Sequence, residues 1–256
     1  MTELVRYGVA RGVATLTLDS PDNRNALSPR LMAELAAGLR SALADEAVRV
    51  VVLTSADRVF CSGMDLKATA AADPGDLPVT AFPDILTTIL DAPKPVVARV
   101  AGPARAGGIG LLAACDVVVA ARSATFAFTE VRVGVVPAVI SVTVLPRLLP
   151  AAARELFLTG EVFDGPRAAA VGLVNSCVPD DELDAELRRY LDLLVQGAPG
   201  ALAGTKALLR EPPAGPVPDR LAAMAELSAR HFAGAEGREG MAAFAAKRPA
   251  SWVPQP

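Results

Sequence analysis

Apolar and polar residues alternate along "VATLTLDS" (13–20), the period-two pattern of a strand with one buried face. The period changes after the turn-rich "PDNRNAL". In "SPRLMAELAAGLRSALAD" (28–45), Leu31, Leu35, Leu39 and Leu43 recur four apart, one stripe of an amphipathic helix. Ser28 is its expected cap, and Pro29 suits the first helical position. "VRVVVLTS" (48–55) and "PVVARVAG" (95–102) are apolar runs that predict buried strands. "CDVVVAAR" (115–122) and "ATFAF" (124–128) predict two more. "GVVPAVISVTVLPRLL" (134–149) starts as a loop and turns helical. "PAAARELFLTGEVFDG" (150–165) holds a helix that Gly160 can end, and "PRAAAVGLVNSCVP" (166–179) gives a short helix and a strand.

Two stretches break this alternation of strands and helices. Residues 68–83 carry three prolines and a glycine among small residues, which predicts a mobile surface segment. After Pro179 the strand pattern stops. Acids open an amphipathic helix, and alanine-rich helix follows, broken by "REPPAGPVPDR". The chain therefore divides into an α/β core over 1–195 and a helical C-terminal region over 196–256.

Composition narrows the chemistry. With 256 residues, 52% apolar and 21% charged, the chain can bury one large core. A net charge of −3 offers no basic footprint for nucleic acid. Without an uncharged apolar run of 18 residues, or the basic and apolar start of a signal peptide, no membrane partner and a cytoplasmic location are expected. Cys61, Cys115 and Cys177 are scattered, as reduced thiols would be, and their spacing suits no metal. The single histidine, His231, argues against triad chemistry and is expected to be a solvated helix residue.

The candidate chemistry lies in "ARAGGIGLLAACD" (104–116), where three glycines open an apolar helix. Gly108, Gly110 and Ala113 fit the dinucleotide pattern G-x-G-x-x-A, with Glu130 about 20 residues on. The topology opposes that reading, because "AGPARA" separates the glycines from their strand. Tight packing is a second reading. The third is an oxyanion hole: the first amides of a helix lack internal partners and sit at its positive end. Gly107 and Gly108 would let a thioester carbonyl approach, and "FCSGMD" (60–65) offers a second donor loop.

Six stretches in order carry a family resemblance: "NRNALS" (23–28), "VFCSGMDL" (59–66), "PVVARVAGPARAGGIGLLAACDVVVAA" (95–121), "FTEVRVGVVPA" (128–138), "LTGEVFDGPRAAAVGLVN" (158–175) and "EGREGMAAFAAKRPASW" (236–252). The chain resembles the enoyl-CoA hydratase/isomerase (crotonase) superfamily over nearly its whole length. The resemblance implies an α/β fold, a crotonase-like ββα spiral core with a C-terminal helical trimerisation region. It implies homotrimers or dimers of trimers, an acyl-CoA substrate, and no cofactor besides that thioester. It places the oxyanion amides at Met64 and Gly107.

The resemblance also implies two acids on either side of a water. One falls at Glu130, and the other at Gly110, where this chain has none. A single carboxylate in an apolar pocket can still do acid–base work, because burial raises its pKa. An ion pair with Arg132 or another surface charge is the structural alternative for Glu130. Asp65 is expected to cap the helix after the first loop, and Asp116 to close a turn. For the coenzyme A arm the resemblance points to Arg24, Ala26, Leu27, Lys67 and Ala68. Phe244 and Lys247, three apart on one helix face, would reach the coenzyme A of a neighbouring subunit. The expected activity is hydration of a 2-enoyl-CoA, with branched or methylglutaconyl-type acyl groups among the candidate substrates. Isomerisation by Glu130 alone, or a silent acyl-CoA-binding paralogue, are the alternatives.

Overall fold

The computed structural model describes residues 3–73, 75 and 77–254. The chain begins with an antiparallel pair, β1 (Val5–Ala10) and β2 (Val13–Leu18). Helix α1 (Pro29–Ala44) follows, with Ser28 Oγ accepting from Leu31 N as its cap. Its buried stripe of Leu31, Met32, Leu35 and Leu39 leads into β3 (Val50–Ser55), parallel to β2.

The segment expected to be a mobile loop is largely helical. Asp65 Oδ1 accepts from Lys67 N and Ala68 N and so starts α2 (Leu66–Ala71). A 3-10 turn at Pro78–Ala81 runs into α3 (Phe82–Asp91), whose Phe82, Ile85, Leu86 and Ile89 are buried. Prolines that read as loop signals occupy first-turn positions, where a missing N–H costs nothing. Pro74 and Asp76, within the same segment, lie outside the described residues.

Then come β4 (Val96–Val100), β5 (Ala104–Arg105), α4 (Gly107–Ala114), β6 (Val117–Ala121) and β7 (Thr125–Ala127). A 3-10 turn (Thr129–Val133) leads to α5 (Ala138–Val144), α6 (Pro150–Thr159), β8 (Phe163–Asp164), α7 (Gly165–Ala170) and β9 (Ser176–Val178). Gly160, at φ 58°, ends α6 as its pattern indicated. The main sheet has the order β1-β2-β3-β4-β6-β9, parallel except for its first pair, and β5-β7-β8 form a small second sheet. Helices α8 (Leu183–Leu194), α9 (Pro199–Arg210), α10 (Val217–Ala233) and α11 (Ala235–Ala245) complete the chain.

Both faces of the main sheet are covered, which is why β3 is buried at every position. Leu16, Leu18, Leu53, Ala98 and Val118 face a large core with α1, α3 and α4. Val50, Val97, Val119 and Ala121 face Leu183 and, partly buried around it, Leu187 and Leu191 of α8. Among the described residues no helix is long and apolar enough to cross a membrane. His231 is exposed on α10, as expected.

Candidate active site

Two loops meet at the N-terminus of α4. The first, residues 59–65, is held by the "NRNALS" turn. Asn25, fully buried, accepts from Ser20 N at 2.7 Å and donates to Val59 O at 2.8 Å and Phe60 O at 3.2 Å. Ser62 N donates to Arg24 O, and Ser62 Oγ to Asn23 O. Leu27 N donates to Gly63 O at 2.8 Å, and Asp65 N to Leu27 O at 3.4 Å, a parallel bridge around Met64. In a parallel ladder the bridged residue turns its own N–H away from the partner strand. Met64 therefore presents its amide to the opposite side, towards α4.

The second loop supplies the other amide. Helix α4 is buried at all eight positions and starts at Gly107, whose N–H lies outside the helical ladder. A β-carbon built on Gly107 would stand 3.8 Å from Met64 N, 2.9 Å from Leu27 Cδ1 and 3.7 Å from Phe82 Cε1. The two amides thus lie close together at the start of α4, beside Leu27 and Phe82. Among the described residues neither N–H has a hydrogen-bond acceptor in the protein. The helix dipole adds positive potential at the same spot.

The neighbouring glycines do different work. A β-carbon on Gly108 would lie 2.6 Å from Cys61 O and 2.8 Å from Cys61 Cβ. The expectation that Gly108 clears space for a thioester is corrected: its clearance belongs to Cys61. A β-carbon on Gly110 would lie 2.4 Å from Ile140 Cγ2, so the side of α4 where a second acid was expected is filled by an isoleucine. Thr143 Oγ1, donating to Gly110 O at 3.1 Å, holds α5 in that place. The β-carbon directions of both glycines are thus filled by protein, and nothing in the site favours the dinucleotide reading.

Pairing of β5 with β7, and Ala106 N donating to Ala127 O at 3.1 Å, bring the 3-10 turn that carries Glu130 beside the start of α4. Phe128, just before it, is fully buried and stacks on Phe157 at 4.3 Å. Glu130 is half-buried, and its Oε2 is shielded from solvent with no hydrogen-bond partner among the described residues. Burial pushes its pKa above the ordinary carboxylate value, against a smaller opposing contact with its own backbone N–H. The Arg132 pairing is not formed; Arg132 Nη2 donates to Thr159 O instead.

The other expected residues divide into groups. Asp65 caps α2. Asp116 Oδ2 accepts from Val96 N and Lys206 Nζ, both at 2.7 Å. Arg24 and Lys67 are exposed beside the first loop, with Ala68 half-buried in α2, while Ala26 and Leu27 are buried. Phe244, 87% exposed, lies on α11, in the C-terminal helices. Lys247 does not share its helix face. The helix ends first: Lys247 N donates to Phe244 O and Arg248 N to Ala243 O, with Lys247 at φ 51°. Asn25, Phe82 and Ile140 are site residues that the sequence reading missed. Only Asn25, within the turn-rich "PDNRNAL", gave a local signal.

A parallel, doubly covered sheet with two acceptor-free backbone amides beside a half-buried carboxylate defines an α/β protein with a candidate acid–base site. The enoyl-CoA hydratase/isomerase family model matches residues 8–255, and the chain belongs to that family. A Thermus thermophilus protein provisionally named enoyl-CoA hydratase is 36% identical over 244 residues, covering 93% of this chain and 96% of its own. The carnitinyl-CoA dehydratase of Citrobacter koseri is 33% identical over 260 residues, 98% of this chain and 99% of its own. A Legionella pneumophila structure, provisionally described as an enoyl-CoA hydratase/isomerase (crotonase), superposes with a TM-score of 0.92 at 33% identity, covering 98% of this chain and all of that one.

Proposed function

We propose that the enzyme adds water to a 2-enoyl-CoA thioester. The observation that carries this reading is the pair of acceptor-free amides, Met64 and Gly107, close together at the start of α4. A thioester oxygen accepting from both would draw electrons from the conjugated double bond, and the amides would stabilise the enolate as it forms. Glu130 takes a proton from water while the hydroxyl bonds to Cβ. The same carboxyl then returns that proton to Cα of the enolate. Substrate, water and side chain balance the reaction, so no cofactor enters it. The Citrobacter relative's name describes removal of water from a CoA thioester, the same chemistry reversed.

A second reading, isomerisation of a 3-enoyl-CoA, is favoured by Ile140, which leaves Glu130 without a second acid across α4. Proton transfer between two carbons needs one base and no water. Arg24, Lys67 and Ala68 would meet the coenzyme A arm from the first loop. Phe244 and Lys247 would meet that of a neighbouring subunit in a homotrimer or a dimer of trimers.

A spectrophotometric screen of 2-enoyl-, 3-enoyl- and branched methylglutaconyl-type CoA substrates separates the two readings. In Glu130→Gln the favoured reaction is expected to fall at least about 100-fold in kcat, with thioester affinity kept. Unchanged turnover of every substrate in that variant would remove Glu130 from the mechanism.

A further inference from the structure

Each of the two amides follows a residue with positive φ. Gly63, before Met64, has φ 91°. Ala106, before Gly107, has φ 48° and ψ −119°. Glycine adopts such backbone freely, but alanine does so only where its surroundings hold it there. Ala106 is held at both ends. Its N–H donates to Ala127 O at 3.1 Å, and its carbonyl accepts from Ile109 N at 2.9 Å and Gly110 N at 3.3 Å.

The two residues also face each other. A β-carbon on Gly63 would stand 3.0 Å from Ala106 Cβ, 3.1 Å from Arg105 O and 3.6 Å from Gly107 N. The alanine methyl therefore rests against the bare Cα of Gly63, directly between the two segments that end in the donors.

We propose that Ala106 is a positioning residue: its methyl, held in strained backbone against Gly63, sets the separation and aim of the Met64 and Gly107 amides. It touches no reacting atom, and the proposal rests on the oxyanion reading of those amides. Glycine at 106 would accept the same φ without strain and keep every backbone hydrogen bond. Relief of strain and loss of the brace thus pull apart, stability one way and turnover the other.

The test is full-length Ala106→Gly, with wild type alongside. The readouts are melting temperature, steady-state kinetics on crotonyl-CoA, and amide NMR of the ligand-free protein. Expected are an unchanged or higher Tm, kcat down about tenfold and KM within about twofold, the signature of an interaction made mainly in the transition state. The Met64 amide, on the other loop, is expected to shift or broaden together with that of Gly107. An unmoved Met64 resonance overturns the brace, and so does unchanged kcat in the presence of wild-type activity. If wild type turns over no enoyl-CoA, the functional reading fails, and the ligand-free amide spectra alone decide for or against the brace. Gly63→Ala gives a second check. Its new methyl meets Ala106, so Gly63→Ala/Ala106→Gly should recover part of the Tm lost by Gly63→Ala, and no recovery counts against the contact.

Discussion

Glu130 sets function against stability. Burial raises its pKa in the folded chain, whereas the unfolded chain titrates near the ordinary value of 4.5. Between those two pH values the native state binds more protons than the unfolded state, so stability falls as pH rises through that window. Glu130→Gln removes the charge. Its Tm is expected to exceed that of wild type at neutral pH, with the gap closing below 4.5, in melts across pH. Activity runs the other way. A general base must be ionised, so kcat/KM is expected to decline on acidification at a pH above the usual carboxylate range. The glycines make the same point about space. Gly108→Ala drives a methyl into Cys61 O, a rigid backbone atom, and is expected to cost about 1–3 kcal/mol in urea unfolding. Gly107, Met64 and Glu130 were pointed to by the family resemblance that motif order and spacing carry. The partners of Gly108 and Gly110 were not, because Cys61 and Ile140 reach them across the fold. Nor was the positive φ of Ala106, since alanine carries no local sign of it.

Helix α4 shows how one element is divided between holding and acting. The Gly107 amide at its N-terminus has no acceptor among the described residues, while its C-terminal carbonyls are closed by a cation. Arg147 Nη1 donates to Cys115 O at 2.7 Å and to Ala113 O at 3.3 Å, and its Nη2 to Asn175 Oδ1 at 2.7 Å. Asn175 Oδ1 also accepts from Val118 N at 2.9 Å, so the cation locks α4 to the main sheet. Arg147→Met strands those carbonyls and is expected to lose about 2 kcal/mol, read as a lower urea midpoint. Elements with strong apolar patterns, the periodic α1 and the continuously apolar β3, follow directly from the sequence. β1 did not, because only Val5 of its six residues is buried; pairing along the edge of β2 holds it. α3 was hidden differently. Its first turn holds Pro83, and the stripe of Ile85, Leu86 and Ile89 begins where the proline-rich segment ends.

At the scale of the whole molecule, long-range contacts tie the C-terminal helices to the site-bearing core. Lys206 of α9 donates to Asp116 Oδ2 at 2.7 Å and to Lys94 O at 3.1 Å, beneath the strand that leads to α4. Exposed apolar residues also cluster along the chain after Glu130. Val133, Val135, Val136, Val142, Leu149 and Leu158, from the Glu130 turn to α6, are each more than half exposed. Scattered apolar residues need no explanation, but six within 26 residues of chain, on elements that follow the candidate base, suit burial against a second copy. Val136→Asp with Val142→Asp tests the proposed assembly. Both side chains face solvent in the single chain, so the added charges are hydrated there and its fold should persist. Buried between copies they would be unpaired and costly. Sedimentation is therefore expected to show wild type at three or six times the chain mass and the double variant at one, with far-UV circular dichroism unchanged. A monomeric wild type would overturn the assembly and, with it, any reach of Phe244 and Lys247 into a neighbour's site.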